Sequence, residues 1–507
     1  MPTSRLILSP DIAADLADGL SRLRTELEVP GEFGAAAMAE AQGAAARGPQ
    51  PVPGRRPERV DRTDLPFFTI DPAGSMDLDQ ALHIAWSGAG WTVHYAIADV
   101  PAVVAPDGAL DLETRARGTT FYGPDGSVPL HPRVLSEGVA SLLPGQVCPV
   151  ALWTIELDED GEITAARVEP ALARSRGRLS YDEAQAVIDG GPDPLGAVTV
   201  LRALREVGRR RQGIERARGG VSLDVPEQEA QRADDGTWSL GFRAILPVEN
   251  WNAQISLLTG MAAASIMLDA GVGVLRTMPP ADRRDVSRLR RTAQALGLSW
   301  PRSLAYGDFL DRLDPARPAD EAFLDAATSL FRGAAYRAFG GADGAPAPEG
   351  DEARHSAIAA PYAHVTAPLR RLVDRFGTEV CLAACADADV PDWVLAALPA
   401  VPEAMAQAGR RASAYTRGGI DLVEAAVLQP RVGDTFPGVV VEGSRSRRRN
   451  LPPEDRRGEV VVRDPAVRAK VKPGPDGALH LGKPMLARLV EASVDSRSVL
   501  FEVAEPS

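Results

Sequence analysis

The sequence predicts an α+β fold, followed by a second, smaller β domain. Short apolar stretches between clusters of Gly, Pro and Asp predict strands at residues 67–70, 91–97 and 151–157. Stretches with helical spacing of apolar residues follow, from about residue 179 to residue 427. Past residue 430 the pattern returns to short strands. We therefore expect a mixed sheet surrounded by helices, with a separate β-rich segment after it.

The first part of the chain is predicted to be a helix and a linker. Leu16, Leu20, Leu23 and Leu27 recur at helical spacing. The Pro- and Gly-rich residues 48–57 then interrupt regular structure. With a second boundary near residue 430, the predicted domains are 1–58, 59–430 and 431–507.

Further elements follow from the same patterns. In the middle part the predicted helices cover residues 179–219, 255–268, 281–297, 320–338, 368–388 and 391–427. In the last part the predicted strands cover residues 435–441, 458–462, 485–490 and 498–503. Four or five strands in so short a segment are typical of a small barrel of the OB type.

Composition excludes several classes of protein. With 45% hydrophobic and 25% charged residues, the 507-residue chain has an ordinary globular composition. Three cysteines are too few for a disulfide framework. We find no apolar run typical of a membrane span or a signal peptide, so we expect a cytoplasmic protein with no membrane association. The net charge of −13 does not by itself decide the partner.

An acidic segment at residues 67–82 carries the most chemical information. A predicted strand ends at Asp71, and Asp77 and Asp79 follow a Pro/Gly/Ser loop. If that part is extended, Asp77 and Asp79 project on the same face. Carboxylates brought together there repel one another unless a cation neutralises them, and oxygen ligands suit Mg²⁺ or Mn²⁺. Such a site suits phosphodiester hydrolysis, whereas the alternative is a solvated acidic turn.

A second segment, residues 355–375, contains an arginine at a predicted helix start. Thr366 and Pro368 are typical of a helix start and place Arg370 in the first turn. A cation there opposes the helix dipole, which indicates an anion partner. The alternative is a solvated guanidinium.

These segments, with two others, resemble the catalytic (RNB) domain of the ribonuclease II and ribonuclease R family. The resemblance covers about residues 60–430, and the C-terminal segment is similar to the family's S1-type OB domain. The four motifs that carry it occur in the family's order, at residues 69–82, 93–100, 117–122 and 362–370.

The resemblance implies a processive, Mg²⁺-dependent exoribonuclease, with Mn²⁺ as the other candidate ion. It implies hydrolysis of single-stranded RNA from the 3′ end to nucleoside 5′-monophosphates. We expect a monomer without an obligate protein partner. By position, Asp71, Asp77 and Asp79 match the catalytic, metal-binding aspartates, and Arg370 matches the arginine at the scissile phosphate. For RNA contacts, Tyr122 matches the aromatic that stacks on the terminal base, and Tyr181 and Glu249 match the pair that reads the ribose.

Three departures from the family pattern bear on these expectations. Gln80 replaces a fourth aspartate; its amide oxygen can still ligate Mg²⁺ but supplies no charge. Leu223 stands where a phenylalanine usually closes the terminal base stack. About 60 residues before the catalytic domain cannot hold the usual cold-shock domains, which indicates a short form.

Two other functions remain open. One is an RNA-binding or regulatory protein that retains the fold while Gln80 weakens the metal site. The other is a metal-dependent nuclease acting on DNA, against which Tyr181 and Glu249 argue. Metal-dependent turnover on matched RNA and DNA distinguishes the three.

Overall fold

A computed structural model of the chain confirms the predicted α+β class. It describes residues 4–6, 10–52, 58–222, 227–232, 238–310, 312–314, 317–442, 457–474 and 479–504. The N-terminal elements are β1 (Ser4–Leu6), α1 (Pro10–Glu26) and α2 (Ala35–Arg47). The leucine spacing therefore predicted α1 correctly.

A six-stranded mixed sheet forms the centre of the larger part of the chain, which precedes the C-terminal strands. Its strands run in the order β2–β9–β3–β4–β5–β8, and β8 also pairs with β9, so that the sheet curls back on itself. The elements up to this point are β2 (Val60–Asp61), β3 (Phe67–Asp71), β4 (Gln80–Trp86), β5 (Trp91–Ala98), α3 (Ala109–Arg117), β6 (Phe121–Gly123), β7 (Gly126–Val128), β8 (Val147–Leu157) and β9 (Ile163–Ser180).

The length of β9 explains this curvature. Its first part, residues 163–174, pairs antiparallel with β8. Its last part, residues 175–180, pairs parallel with β3. The strand therefore closes the sheet and brings the end of β3, at Asp71, next to Ser180.

Helices cover one side of this sheet and form the rest of the larger part. The elements are α4 (Tyr181–Ile188), α5 (Val198–Ala217), β10 (Glu227–Arg232), β11 (Trp238–Arg243), α6 (Pro247–Ala270), β12 (Gly273–Thr277), α7 (Arg283–Ala295), α8 (Tyr306–Leu310), α9 (Pro318–Ala327), β13 (Ala335–Phe339), β14 (Arg354–His355), β15 (Ala360–Pro361), α10 (Leu372–Cys385), α11 (Asp392–Ala397) and α12 (Val401–Leu428).

Three of the helix predictions need correction. The helix expected over 179–219 is two helices, because residues 189–197 contain three glycines and two prolines that break it. The helix expected over 320–338 ends at Ala327, and residues 335–339 form β13, which pairs with β12. The segment expected over 391–427 is divided into α11 and α12.

The helix α6 lies at the centre of the largest hydrophobic core. Among the described helices it alone is long and apolar enough to span a membrane, judged by length and composition. Here its side chains Ile255, Leu258 and Ala263 are buried in one core with residues of the sheet, α5 and α10. We therefore interpret α6 as a core helix.

The C-terminal part is a closed five-stranded barrel, as the strand pattern predicted. Its strand order is β16–β17–β18–β20–β19. The sequence patterns missed β18, which carries alternating Arg and Lys residues on its exposed side. The strands are β16 (Thr435–Glu442), β17 (Gly458–Arg463), β18 (Ala466–Lys472), β19 (Pro484–Ser493) and β20 (Ser498–Val503).

The long helix α12 connects the larger part of the chain to the barrel. Its C-terminal half, including Leu422 and Val423, shares a hydrophobic core with Phe436 and Phe501 of the barrel. Leu16, Leu20 and Leu23 of α1 are buried in the same core. The N-terminal helix is thus part of the contact between the two domains.

Candidate active site

The three aspartates of the acidic segment lie at one end of the central sheet. Asp71 is the last residue of β3, and Asp79 directly precedes β4. Between Asp77 and Asp79, the side chain of Leu78 is fully buried and its backbone N–H donates to Ser141 Oγ at 2.9 Å. Residues 75–79 do not form a hydrogen-bonded strand, and the shared face expected for Asp77 and Asp79 if this part is extended stays a prediction. The buried leucine holds this loop in place instead.

Burial makes two of these carboxyl groups unusually basic. Asp79 is only 3% exposed, and burial raises its pKa to about 8 against the opposing effect of Arg370. Burial raises the pKa of Asp71 to about 6, again opposed by Arg370. Asp77 acts on both groups in the direction of a raised pKa, so the three carboxyl groups are close enough to interact. A further positive charge at this point would favour their ionised forms.

Residues 366–371, here called the arginine loop, close over Asp79. The backbone N–H of Leu369 donates to Asp79 Oδ1 at 2.7 Å. Arg370 Nε lies 3.4 Å from Asp79 Oδ2, and the arginine side chain is 47% exposed. The structure therefore pairs residues of the two informative segments, although they are almost 300 positions apart in the chain.

The sequence predicted Arg370 in the first turn of the helix, whereas the structure places it before the helix begins. The helix α10 begins at Leu372, with Arg371 at its N-cap. Asp374 accepts from the backbone N–H of Ala367 at 2.6 Å and pairs with Arg371 at 2.8 Å. These bonds from inside the helix hold the preceding residues in a turn, which explains the later start.

The arginine loop also contacts the motif at residues 117–122. Thr119 Oγ1 and the backbone N–H of Thr120 both donate to the carbonyl oxygen of Arg370, at 2.9 Å and 3.0 Å. Tyr122 follows on β6 with its side chain 45% exposed, and it interacts electrostatically with Asp77 and Arg370. An exposed aromatic ring therefore lies at the edge of the acidic site.

Tyr181 and Glu249 are neighbours on another side of the site. Tyr181 begins α4 directly after β9, and both Asp71 and Glu249 act on its hydroxyl. Glu249 belongs to the first turn of α6, where its Oε1 accepts from the backbone N–H of Leu246 at 2.8 Å. The same oxygen accepts from Arg243 Nη1 at 2.6 Å. Glu249 thus stabilises the start of α6 and is partly neutralised by an arginine.

Leu223, the candidate second wall of the base stack, lies outside the described residues.

The sequence analysis missed several residues that hold the site together. Gln80 bonds within the protein at both ends of its amide, to Tyr95 and to Thr366. Tyr95 lies in the motif at residues 93–100, and its cross-strand partner Leu82 is two residues from Gln80. The alternation of residues along the strand in that motif was the sequence signal that could have identified Tyr95. Nothing in the sequence pattern marks Arg243.

The chemistry of the donors at this site fits a hard divalent cation. Carboxylate oxygens are the preferred ligands of Mg²⁺ and Mn²⁺. Asp71 Oδ2 is buried and has no hydrogen-bond partner in the described part of the chain. As these side chains are placed, no three His, Cys, Asp or Glu residues among those described form a group that could hold a metal ion. The donor types therefore fit the ion, whereas the side-chain positions do not form a closed ligand set.

Comparison with known proteins assigns both parts of the chain to known domains. Residues 59–377 match the RNB domain model, and residues 434–504 match that of the RNase II-type exonuclease C-terminal S1 domain. Ribonuclease R of Vibrio cholerae is 28% identical over 417 residues, which are 75% of this chain and 48% of that protein. The chain thus spans about half the length of this curated relative.

Solved structures show the same fold. The apo form of Mycoplasma genitalium RNase R has a TM-score of 0.82 at 18% identity, over 97% of this chain and 78% of that chain. The same enzyme is known in complex with ribose-methylated single-stranded RNA. Yeast Ssd1, a pseudonuclease, has a TM-score of 0.66 at 17% identity, over 84% of this chain and 52% of that chain. From the RNB match over most of its length, the chain belongs to the RNB family of ribonuclease II and ribonuclease R, with the C-terminal S1 domain of that family.

Proposed function

We propose that this chain is a metal-dependent 3′-to-5′ exoribonuclease that hydrolyses single-stranded RNA processively to nucleoside 5′-monophosphates. We further propose that it acts in the cytoplasm as a monomer, with Mg²⁺ or Mn²⁺ and without an obligate protein partner. The observation that carries the proposal is the pairing of Asp79 with Arg370 beside Asp71, at the meeting point of the family's motifs.

Each group at the site has a role in this reaction. Asp71, Asp77 and Asp79 would hold the ion. A bound Mg²⁺ activates water and stabilises charge on phosphoryl oxygens. The partly exposed guanidinium of Arg370 can reach an anion outside the protein while Asp79 fixes its other side. It is thus suited to stabilising the charge that develops on the scissile phosphate.

The aromatic residues suit an RNA end without preference for its sequence. Stacking on an exposed ring such as Tyr122 is tolerant of base identity, as degradation requires. The Tyr181 hydroxyl beside Glu249 offers polar groups for a ribose hydroxyl, the feature that separates RNA from DNA. Leu223, the candidate second wall of the stack, stays a prediction.

A specific observation also supports a second candidate, an RNA-binding protein with little or no hydrolysis. The described side chains do not form a three-acid metal group, and the fourth acid of the family is replaced by Gln80. This candidate differs from the first only in turnover.

The test uses 5′-labelled single-stranded RNA and the matched DNA, each with Mg²⁺, Mn²⁺ or EDTA. The proposal predicts a ladder that shortens from the 3′ end, on RNA alone and with either ion. Binding of RNA without shortening in either ion would favour the second candidate. Equal shortening of the DNA would contradict the assignment of Tyr181 and Glu249 to sugar recognition.

A further inference from the structure

Both ends of the Gln80 amide are hydrogen-bonded inside the protein. Its Nε2 donates to the carbonyl oxygen of Thr366, and its Oε1 accepts from the Tyr95 hydroxyl at 2.8 Å. A carbonyl oxygen can only accept, so the NH₂ group must face Thr366. The amide oxygen must then face Tyr95, which fixes the orientation of the side chain by chemistry alone.

The bond from Tyr95 extends the connection to the core helix α6. Tyr95 is 1% exposed, and its oxygen lies 3.0 Å from Ser256 Oγ. The single phenolic proton is donated to Gln80, so Ser256 must donate to Tyr95. A directed series of hydrogen bonds therefore runs from α6 through β5 and β4 to Thr366, the first residue of the arginine loop.

Gln80 and its neighbour Asp79 hold this loop at two points. Asp79 accepts from the backbone N–H of Leu369, and Gln80 donates to the carbonyl oxygen of Thr366. Arg370 directly follows Leu369 and lies 3.4 Å from Asp79. Two consecutive residues, the last before β4 and the first within it, thus hold the loop and with it the arginine.

We propose that Gln80 is a positioning residue that holds the arginine loop and is not a ligand of the metal ion. An aspartate at this position has no proton for the Thr366 carbonyl and is one methylene group shorter, so it could not make the same bond. The replacement by glutamine thus supplies a direct hydrogen bond where a carboxylate would face a carbonyl oxygen. The expected effect on turnover rests on the proposed function, whereas the effect on the loop does not.

Two variants separate positioning from metal binding. Gln80→Glu preserves side-chain length and the acceptor for Tyr95, but it removes the donor to Thr366. Tyr95→Phe removes the hydroxyl that orients the amide and leaves every carboxylate in place. The matched control is Gln294→Glu, the same chemical change on an exposed position of α7.

The primary measurement is amide hydrogen exchange of residues 364–371 in the full chain, without metal or RNA. Magnesium affinity is then measured by titration calorimetry. The values of kcat and KM are measured on labelled RNA. We expect both variants to speed exchange of this segment severalfold and the control to leave it unchanged. We also expect the Mg²⁺ affinity of both variants to stay within about threefold of the wild type. Their kcat should fall about tenfold at similar KM, because one hydrogen bond that positions the loop is lost.

Unchanged exchange in both variants would overturn the proposal. So would a Gln80→Glu variant that binds Mg²⁺ at least about tenfold more tightly, because a carboxylate in place of a ligating amide would raise the affinity for the ion. Because exchange is measured without substrate, a chain that fails to shorten RNA would refute the proposed function and leave this inference testable.

Discussion

Arg370 is the residue that most clearly joins the two halves of the candidate site. Its position is determined by partners on three separate segments: Asp79 before β4, Thr119 and Thr120 after α3, and Asp374 through the start of α10. Because these contacts involve backbone groups as well as side chains, the loop is held even where its arginine is exposed. The backbone that carries the guanidinium is thus fixed beside Asp79, which is the preorganisation that electrostatic stabilisation of a transition state requires.

This arrangement predicts a graded loss of activity at position 370. Arg370→Ala should lower kcat roughly a hundredfold, because a charge that acts on the phosphate is lost. Arg370→Lys should lose less, because it retains the charge but not the planar group that can contact Asp79 and an anion together. Steady-state kinetics on a short labelled RNA measure both. Equal activity of the alanine variant and the wild type would show that Arg370 does not act on the reacting phosphate.

At the scale of elements, the helix α3 positions the segment that ends in Tyr122. Glu40 of α2 accepts from the first backbone N–H groups of α3, those of Ala109 and Leu110, at 2.9 Å each. At its other end α3 stops at Gly118, which has a φ of +71° and lies so close to α12 that an added Cβ would be 2.6 Å from Ala408. The N-terminal helices thus support the site from outside.

Removal of this cap should destabilise the fold by a modest amount. We expect Glu40→Ala to lower the free energy of unfolding by about 1 kcal/mol, as loss of a helix cap does. Glu32→Ala, at an exposed position before α2, is the control and should change little. Chemical denaturation measures both. A Glu40→Ala variant as stable as the control would mean that water replaces the cap without cost.

Some of these elements could be predicted from the sequence and others could not. The strand ending at Asp71 and the helix α1 follow from local apolar patterns, which the tertiary structure preserves. The strand β13 has an alanine-rich sequence that favours a helix, but pairing with β12 determines its structure. Arg370 was placed in a helix because its bonds to distant segments leave no local signal. The Gln80–Tyr95–Thr366 connection was invisible for the same reason.

At the scale of the whole molecule, a buried carboxyl group connects the larger, RNB-containing part of the chain to the barrel. Glu424 of α12 is 3% exposed and accepts from Gln228 of β10 at 2.5 Å and from the backbone N–H of Arg468 of β18 at 3.0 Å. Burial raises the pKa of Glu424 to about 8, although both hydrogen bonds oppose that change. Near neutral pH the folded protein therefore favours the protonated acid.

The raised pKa gives a pH dependence whose sign can be tested. The folded state binds this proton more tightly than the unfolded state. The contribution of Glu424 to the free energy of unfolding is therefore greatest at low pH and is lost as pH rises from about 4.5 to about 8. Glu424→Gln, which cannot ionise, should match the wild type near pH 5 and exceed it by roughly 2 to 4 kcal/mol near pH 9. Denaturation at several pH values measures the difference. A difference that does not change with pH would contradict the assignment.

The central claim is that the acidic site hydrolyses RNA, and Asp79→Asn tests it most directly. Asparagine preserves the size of the side chain and an oxygen that can accept from Leu369, but it cannot ionise, whereas Asp79 can do so beside Arg370 once a metal ion is bound. The measurement compares Mg²⁺-dependent shortening and RNA binding of this variant with those of the wild type. We expect binding within a few-fold and turnover lower by at least about a hundredfold. Turnover within about threefold of the wild type would contradict the account, because the site described here would then not be the site of hydrolysis.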